Sequence, residues 1–467
     1  MADRSETLSP VSKSSLPVSP RYDPLAMGAI AAILVFAFLF GGGGLRYGLA
    51  NLVVQLAAFA ALALNRTSFL SFWQSAPLAV RLLVGLSLLA PLLQLIPLPP
   101  LLWGGLPGRD LAAQSLQAAG YSGWMPMSLE PRRTLLAATA LVTPLAVITV
   151  GWRLPRQWLL SLGWLFASAG LVTFAVGAFQ VSPQGNVGGF YGDRFSQDIL
   201  LGTFANRNTT GILLVGALGF ATVLPPPRPI PGLLAWRLAL CILIVLAIIL
   251  TRSRSSLLLT ALPLGLASLR TLRLLFARRS ASKAPRRTNP LLLGAAGLGL
   301  AATLLGGLIV YAPGRIGDTL SRFDEIENNP RYYIWEDSVY AAWRYWPIGA
   351  GTGTFDEVFQ IDESLENMTQ RRAGRAHNDY LEIAVEFGLP GLILVAAWIG
   401  LLAWLSWRAR TSKLRWGAWA GSCFLFAIAL QSITDYPLRN QAILAFAGFA
   451  LLVLVRLGAS EPDERRQ

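Results

Sequence analysis

Apolar residues occur along this chain in long runs, and polar residues are gathered in the intervals between them. A bilayer core takes about 20 consecutive apolar residues of helix. Twelve stretches approach that length, at roughly 25–41, 46–64, 78–96, 134–151, 157–179, 208–224, 233–250, 255–270, 291–312, 381–406, 416–434 and 440–457. The pattern predicts an all-α, polytopic membrane protein of about 12 transmembrane helices. Pro91, Pro144 and Pro263 fall inside these runs, where a proline removes a backbone donor and bends the helix. Residues 1–23 are rich in Ser, Pro and charge and read as a disordered tail. Residues 24–457 form the integral membrane domain, and 458–467 a second short tail. The apolar run beginning at Leu25 is followed by many others, so it is not a cleavable signal peptide.

Composition agrees: the chain is 54% hydrophobic and 14% charged, where a soluble domain carries about 25% charge. The net charge of +14 could suit nucleic acid, but the basic residues lie in short gaps between apolar runs, so no nucleic-acid partner is expected. Cys241 and Cys423 both sit inside apolar runs, which supports neither a disulfide framework nor a cysteine metal site.

The charge distribution also orients the chain. Seven cations and no acid lie between Arg270 and Arg287, and Arg408, Arg410, Lys413 and Arg415 form a second such run. Arg153 with Arg156, and Arg228 with Arg237, occupy two more gaps of the same parity. The positive-inside rule puts these gaps and both termini in the cytoplasm. The opposite side then receives residues 97–133, 180–207 and 313–378, the last a large loop with eleven acids and seven bases. Within it, Arg331-Tyr-Tyr-Ile-Trp-Glu-Asp-Ser-Val-Tyr-Ala-Ala-Trp-Arg-Tyr-Trp346 has aromatic residues at helical spacing, suited to the headgroup level.

The outer segments carry the candidate chemistry. His377, the only histidine, lies in Arg375–Gly391 where the large loop meets an apolar run. Its ring can exchange a proton near neutrality, or it can serve as a local helix cap. Asp379, Glu382 and Glu386 are close enough in sequence for one of them to orient the ring. Thr251-Arg-Ser-Arg-Ser-Ser256 is a short outer turn whose Arg252 and Arg254 either snorkel or face a phosphate with their bidentate forks. Gly202-Thr-Phe-Ala-Asn-Arg-Asn-Thr-Thr-Gly211 sets Arg207 at a helix start, where an anion is welcome and where Asn206 or Asn208 could cap. Arg331 opens the aromatic run, and Asp435-Tyr-Pro-Leu-Arg-Asn440 fills the last outer turn with an acid and a base able to pair locally. Pro347-Ile-Gly-Ala-Gly-Thr-Gly-Thr-Phe355 lacks the lysine and preceding strand of a nucleotide loop and reads as a tight turn. A single histidine and no Asp-x-Asp element offer no metal cluster.

Taken in order, several of these motifs resemble the O-antigen ligase superfamily: Gly202-Thr-Phe-Ala-Asn-Arg-Asn208, Thr251-Arg-Ser-Arg-Ser255, Arg331 with its aromatic helix, and Pro347-Ile-Gly-Ala-Gly-Thr-Gly353. His377-Asn-Asp-Tyr-Leu-Glu382 with Glu386, Gly388 and Gly391 completes the set. Trp124-Met-Pro-Met-Ser-Leu-Glu-Pro-Arg-Arg-Thr134 and Asp435-Tyr-Pro-Leu-Arg439 are similar to forms seen in Gram-negative members. The resemblance covers most of residues 25–457 and departs at Ser255, where many members carry glycine.

It implies a bacterial inner-membrane glycosyltransferase with its site on the periplasmic side and no metal or other cofactor. The donor would be a glycan on undecaprenyl pyrophosphate, and the acceptor lipid A-core in a ligase or a growing glycan in a polymerase. By the same analogy His377 takes the acceptor proton, and Arg207, Arg252 or Arg254, and Arg331 hold the pyrophosphate. Asn206, Asn378, Asp379, Glu382, Asp435 and Arg439 support them. The reading of another class is a transporter or flippase for a lipid-linked glycan. Transporters place charge near the midplane and often repeat their halves; these runs are almost free of charge, which favours the enzyme.

Overall fold

The computed structural model describes residues 23–44, 46–181, 190–191, 199–226, 233–281, 331–368 and 372–459. The apolar runs fold as expected into helices. They are α1 (Pro24–Phe40), α2 (Gly48–Leu64), α3 (Arg66–Ser75), α4 (Leu78–Leu93), α5 (Pro100–Gly104), α6 (Asp110–Ala118), α7 (Pro131–Ala140), α8 (Val142–Val150) and α9 (Arg156–Gln180). After these come α10 (Arg207–Val223), α11 (Leu233–Leu250), α12 (Arg254–Leu259), α13 (Ala261–Ala281), α14 (Arg331–Arg344), α15 (Phe355–Asp362), α16 (Asp379–Arg408), α17 (Arg415–Gln431) and α18 (Gln441–Gly458). A two-residue hairpin, β1 (Pro97–Leu98) with β2 (Met125–Pro126), ties the ends of the segment after α4.

Among the described residues, seven helical stretches are long and apolar enough to cross a membrane, or eight if the bent pair α2 and α3 counts as one. This is an integral membrane protein. The expected run at 291–312, the two tails apart from Asp23, Gly458 and Ala459, and the beginning of the large loop lie outside the described residues. Two of the three prolines interrupt their helices as foreseen. The break between α7 and α8 falls at Leu141, three residues before Pro144, and the break between α12 and α13 at Thr260, three residues before Pro263. Pro91 instead sits near the end of an unbroken α4. The 81° bend between α2 and α3 has no proline; polar residues from Asn65 onward end the apolar run there.

The membrane core is centred on α10 and α18, which are buried on nearly every side. Phe166 of α9 meets Phe220, Phe424 and Phe446 with ring centroids 5.0, 5.1 and 4.4 Å away. A second, smaller core joins α14, α15 and the first turns of α16 through Ala341, Tyr345, Phe355, Phe359 and Val385. It is sealed by the glycine-rich run at 347–355. Helix α16 breaks at Gly388 (φ 57°, ψ −144°), which frees two carbonyls of the preceding turn. Ala350 and Gly351 donate to the carbonyls of Val385 and Glu386 at 2.9 and 2.8 Å, and Leu389 donates back to Pro347 at 2.9 Å. A Cβ on Gly388 would collide with the Pro347 carbonyl oxygen, so no other residue fits. The run is a tight loop, and what it holds is the bend in α16. Gln94 and the fully buried Arg109 fasten the segment after α4 to it, through Thr352 and the Gly349 carbonyl.

Candidate active site

The bend in α16 leaves its first turns presenting Asn378, Asp379, Glu382 and Glu386 toward the turn between α17 and α18. Asn378 caps the helix, its side-chain oxygen accepting from the N–H of Tyr380 and Leu381 at 3.0 and 3.1 Å. That removes the cap role from His377. Asn206 does the same for α10, accepting from Asn208 at 2.8 Å. Both helix starts are therefore closed by asparagine, as their sequences allow.

His377 faces the last turn. Its Nδ1 lies 3.3 Å from Oδ1 of Asp435, and its ring packs 5.0 Å from that of Tyr436. None of the carboxylates foreseen for orienting the ring makes this contact. Asp379, Glu382 and Glu386 recur at helical spacing and share the face of α16 turned to Arg439, whereas His377 precedes the cap. The expected local pair within 435–440 is not formed either. Arg439 Nε stands 3.5 Å from Asp379 and 3.3 Å from Glu382, and its Nη2 donates to Glu386 at 2.8 Å. Arg375 adds a second cation, donating to Glu382 at 3.0 Å. The three carboxylates are at most 1% exposed, so the cluster is a buried lattice whose positive centre is Arg439. Burial opposes the charge on Arg439, but Glu386, Glu382 and Asp379 together raise its affinity for the proton.

Asp435 is buried as well. Burial pushes its carboxyl up, and the His377 ring, Arg331 and the Asn208 amide more than offset this and hold it below the ordinary carboxylate value. A carboxylate held ionised only accepts hydrogen bonds, which places a ring proton on Nδ1 and leaves Nε2 on the side of the ring away from Asp435. Burial pushes the neighbouring Tyr436 phenol up to about 12, so it stays neutral.

The arginine-bearing segments converge on the same turn. Arg331, first residue of α14, donates to the Thr434 carbonyl at 2.6 Å, and Trp335 one turn later donates to the Ala376 carbonyl at 2.8 Å. Gln431 at the end of α17 donates to the Asn208 carbonyl at 2.9 Å, and Ser253 donates to the Asn208 side chain at 2.8 Å. Arg207 adjoins Asn208, and Arg252 and Arg254 flank Ser253. One hydrogen-bonded chain thus joins the 251–256 turn, the start of α10 and the turn that holds His377. Arg252 (φ 52°) and His377 (φ 50°) are the two non-glycine residues with left-handed backbone among the described residues. Such strain persists where the surroundings impose it, and it concentrates at functional sites.

The O-antigen ligase family model matches residues 239–396. Over that stretch the chain is similar to an O-antigen ligase domain. No curated protein matches the chain. The matched stretch contains Arg252, Arg254, Arg331, His377 and the three carboxylates; Asn206, Arg207, Asp435 and Arg439 fall outside it. The sequence pattern did not single out Tyr436, Gln431 or Ser253, nor assign Arg375 a role. Tyr436 adjoins Asp435 and Arg375 lies two residues before His377, so proximity was a usable signal there; nothing in the sequence marks Gln431. Among the described residues, no group of three or more His, Cys, Asp or Glu is arranged to hold a metal ion. The carboxylate cluster on α16 is occupied by Arg439.

Proposed function

We propose that this protein transfers a polysaccharide from undecaprenyl pyrophosphate to a hydroxyl of lipid A-core, at the periplasmic face of a bacterial inner membrane with both termini cytoplasmic. One observation carries the reading: a lone imidazole, backed on Nδ1 by a buried carboxylate, on a turn that also seats Arg331 and is bonded to the segments bearing Arg207, Arg252 and Arg254. The acceptor oxygen bonds to the anomeric carbon of the donor as its proton passes to Nε2 of His377. The bond from that carbon to the pyrophosphate oxygen breaks, and undecaprenyl pyrophosphate leaves with the electron pair. Guanidinium groups fixed beforehand stabilise the charge that grows on the leaving oxygens. Arg207, Arg252, Arg254 and Arg331 are the candidates for that role. Arg439 is not one of them, because its charge is already matched by three buried carboxylates. Its part, with Asp379 and Glu382, is to hold the start of α16 against the Asp435 turn. Asn206 and Asn378 fix the two helix starts.

A general base contributes about 10²–10⁴-fold. His377→Ala should therefore lower transfer between purified donor and acceptor by roughly that factor, with the amount of protein in the membrane unchanged. Full transfer by the variant would remove His377 from the chemistry. Deleting the gene and analysing surface and lipid-linked glycans tests the acceptor. Polymer accumulating on the lipid carrier is the expected result, and single repeat units in its place would make the enzyme a polymerase.

A further inference from the structure

Helix α14 leaves the candidate site at Arg331 and runs 14 residues to Arg344, about 21 Å at the helical rise. One face packs into the small core, and the other exposes Tyr332, Tyr333, Val339, Tyr340 and Trp343. Tyr340 and Trp343 are 62% and 68% exposed, too open for these rings to be core residues. At the far end of the helix lies a cavity of about 160 Å³. Ala112, Leu129 and Val358 give it an apolar lining, and Glu130, Glu357 and Arg344 give it charge. The Arg344 guanidinium also stands over the Tyr340 ring, 6.0 Å from its centroid, so stripe and cavity are continuous.

We infer that this stripe and cavity form a second binding site, for a saccharide chain several units from the reacting end. The C–H faces of a sugar ring stack on the electron-rich faces of tyrosine and tryptophan, while its hydroxyls donate to carboxylates. Charge separates this occupant from a lipid headgroup. Arg344 is engaged with Asp362 and Glu357 with Arg133, each at 2.7 Å; with those partners counted, Glu336, Glu130, Glu357 and Asp362 still outnumber Arg344 and Arg133, so the surface is acidic on balance. Segments that seat on anionic membrane surfaces are cationic instead. The stripe starts where His377 lies, so a polymer held along it has one end at the site. That last step rests on the transferase reading; saccharide binding does not.

The test uses the full-length protein in nanodiscs and saturation-transfer NMR with two probes, each free of lipid: the polysaccharide released from its carrier, and core oligosaccharide. Tyr340→Ala with Trp343→Ala should weaken binding of one probe roughly tenfold, the effect of losing two ring contacts, and Tyr340→Phe with Trp343→Phe should restore it. Ala112→Trp, which fills the cavity, should also weaken it. Loss of the polysaccharide signal assigns the site to the donor, and loss of the oligosaccharide signal to the acceptor. Equal binding by all variants overturns the inference, as does brominated-lipid quenching of tryptophan fluorescence that Trp343→Phe diminishes, which would seat the stripe in the membrane. Full transfer by His377→Ala with weakened binding by the stripe variants would sink the transferase reading and leave this site standing, and equal binding by the stripe variants with transfer lost in His377→Ala would do the reverse.

Discussion

Replacing Arg439 with methionine removes one positive charge from a pocket that holds three buried carboxylates, at N–O separations of 3.5, 3.3 and 2.8 Å. The side chain is 14% exposed, and those of Asp379, Glu382 and Glu386 are exposed by at most 2%, so water cannot take over its role. Removing one partner from a buried ion pair costs about 3–5 kcal/mol, because the remaining charge stays buried and uncompensated. Arg375 still reaches Glu382 in the variant, which keeps the figure within that range despite the three carboxylates. At about 2 °C per kcal/mol for a large chain, the apparent melting temperature in detergent should fall by roughly 6–10 °C. Methionine fills a similar volume, so lost packing contributes little. The cycle with Glu382→Gln isolates the charge: added to Arg439→Met, it should recover at least about 1 kcal/mol, a coupling of the size seen within buried networks. A loss under about 0.5 kcal/mol for the single variant, the level of an ordinary surface change, would refute the view that Arg439 neutralises this lattice. Additive effects in the cycle would refute it equally.

Asp435→Asn removes the charge that fixes the Nδ1 proton, and transfer should fall by roughly 10²–10⁴-fold with normal membrane levels, as measured with purified donor and acceptor. Because the Asp435 carboxyl is held below its ordinary value, the stability it adds is full above the unfolded carboxylate range and lost as pH falls through the depressed one. The melting-temperature gap between wild type and this variant should therefore narrow below about pH 4. Arg252→Gly and Arg252→Ala lose the same guanidinium, but only glycine accepts a φ of 52° without cost. The glycine variant should be more stable by about 1 kcal/mol and no more active; equal melting temperatures would mean that the backbone there is not under strain. For topology, a cysteine at the well-exposed Leu365 should react with an impermeant thiol reagent on intact spheroplasts, and labelling only after lysis would invert the proposed orientation.

The fold was legible where one physical force decides it. Long apolar runs must become helices in a bilayer, and eleven of the twelve stretches fall on helices while 291–312 lies outside the described residues. Prolines marked the breaks near residues 141 and 260 because a missing N–H acts locally. The hairpin of β1 and β2 was not legible, since it pairs residues far apart along the chain. The site follows the same division. Residue type singled out His377 and the arginines, because few side chains exchange protons at neutral pH or grip a phosphate with two donors. Pairing was not legible. Asp379, Glu382 and Glu386 are the acids nearest to His377 in sequence, yet the helical period turns them to Arg439, and the ring is met by Asp435, 58 positions away.

That exchange of partners bears on how the site holds its geometry. His377 and Arg252 occupy a backbone region that costs a non-glycine residue roughly 1–2 kcal/mol, and neither is held by a regular element. His377 sits between the Glu382 lattice on one side, which takes the Ala376 N–H at 3.1 Å, and the Asn378 cap on the other. Arg252 precedes Ser253, whose hydroxyl is fixed by Asn208, which in turn takes Gln431. Each strained residue is thus flanked by polar groups bonded to a different helix, and slack in any one of them would let the backbone relax. An apolar interface would tolerate small slides between helices; directional bonds to buried charges do not. The polar lattice, expensive to build in so apolar a chain, is what sets an imidazole and a guanidinium in conformations they would not otherwise keep.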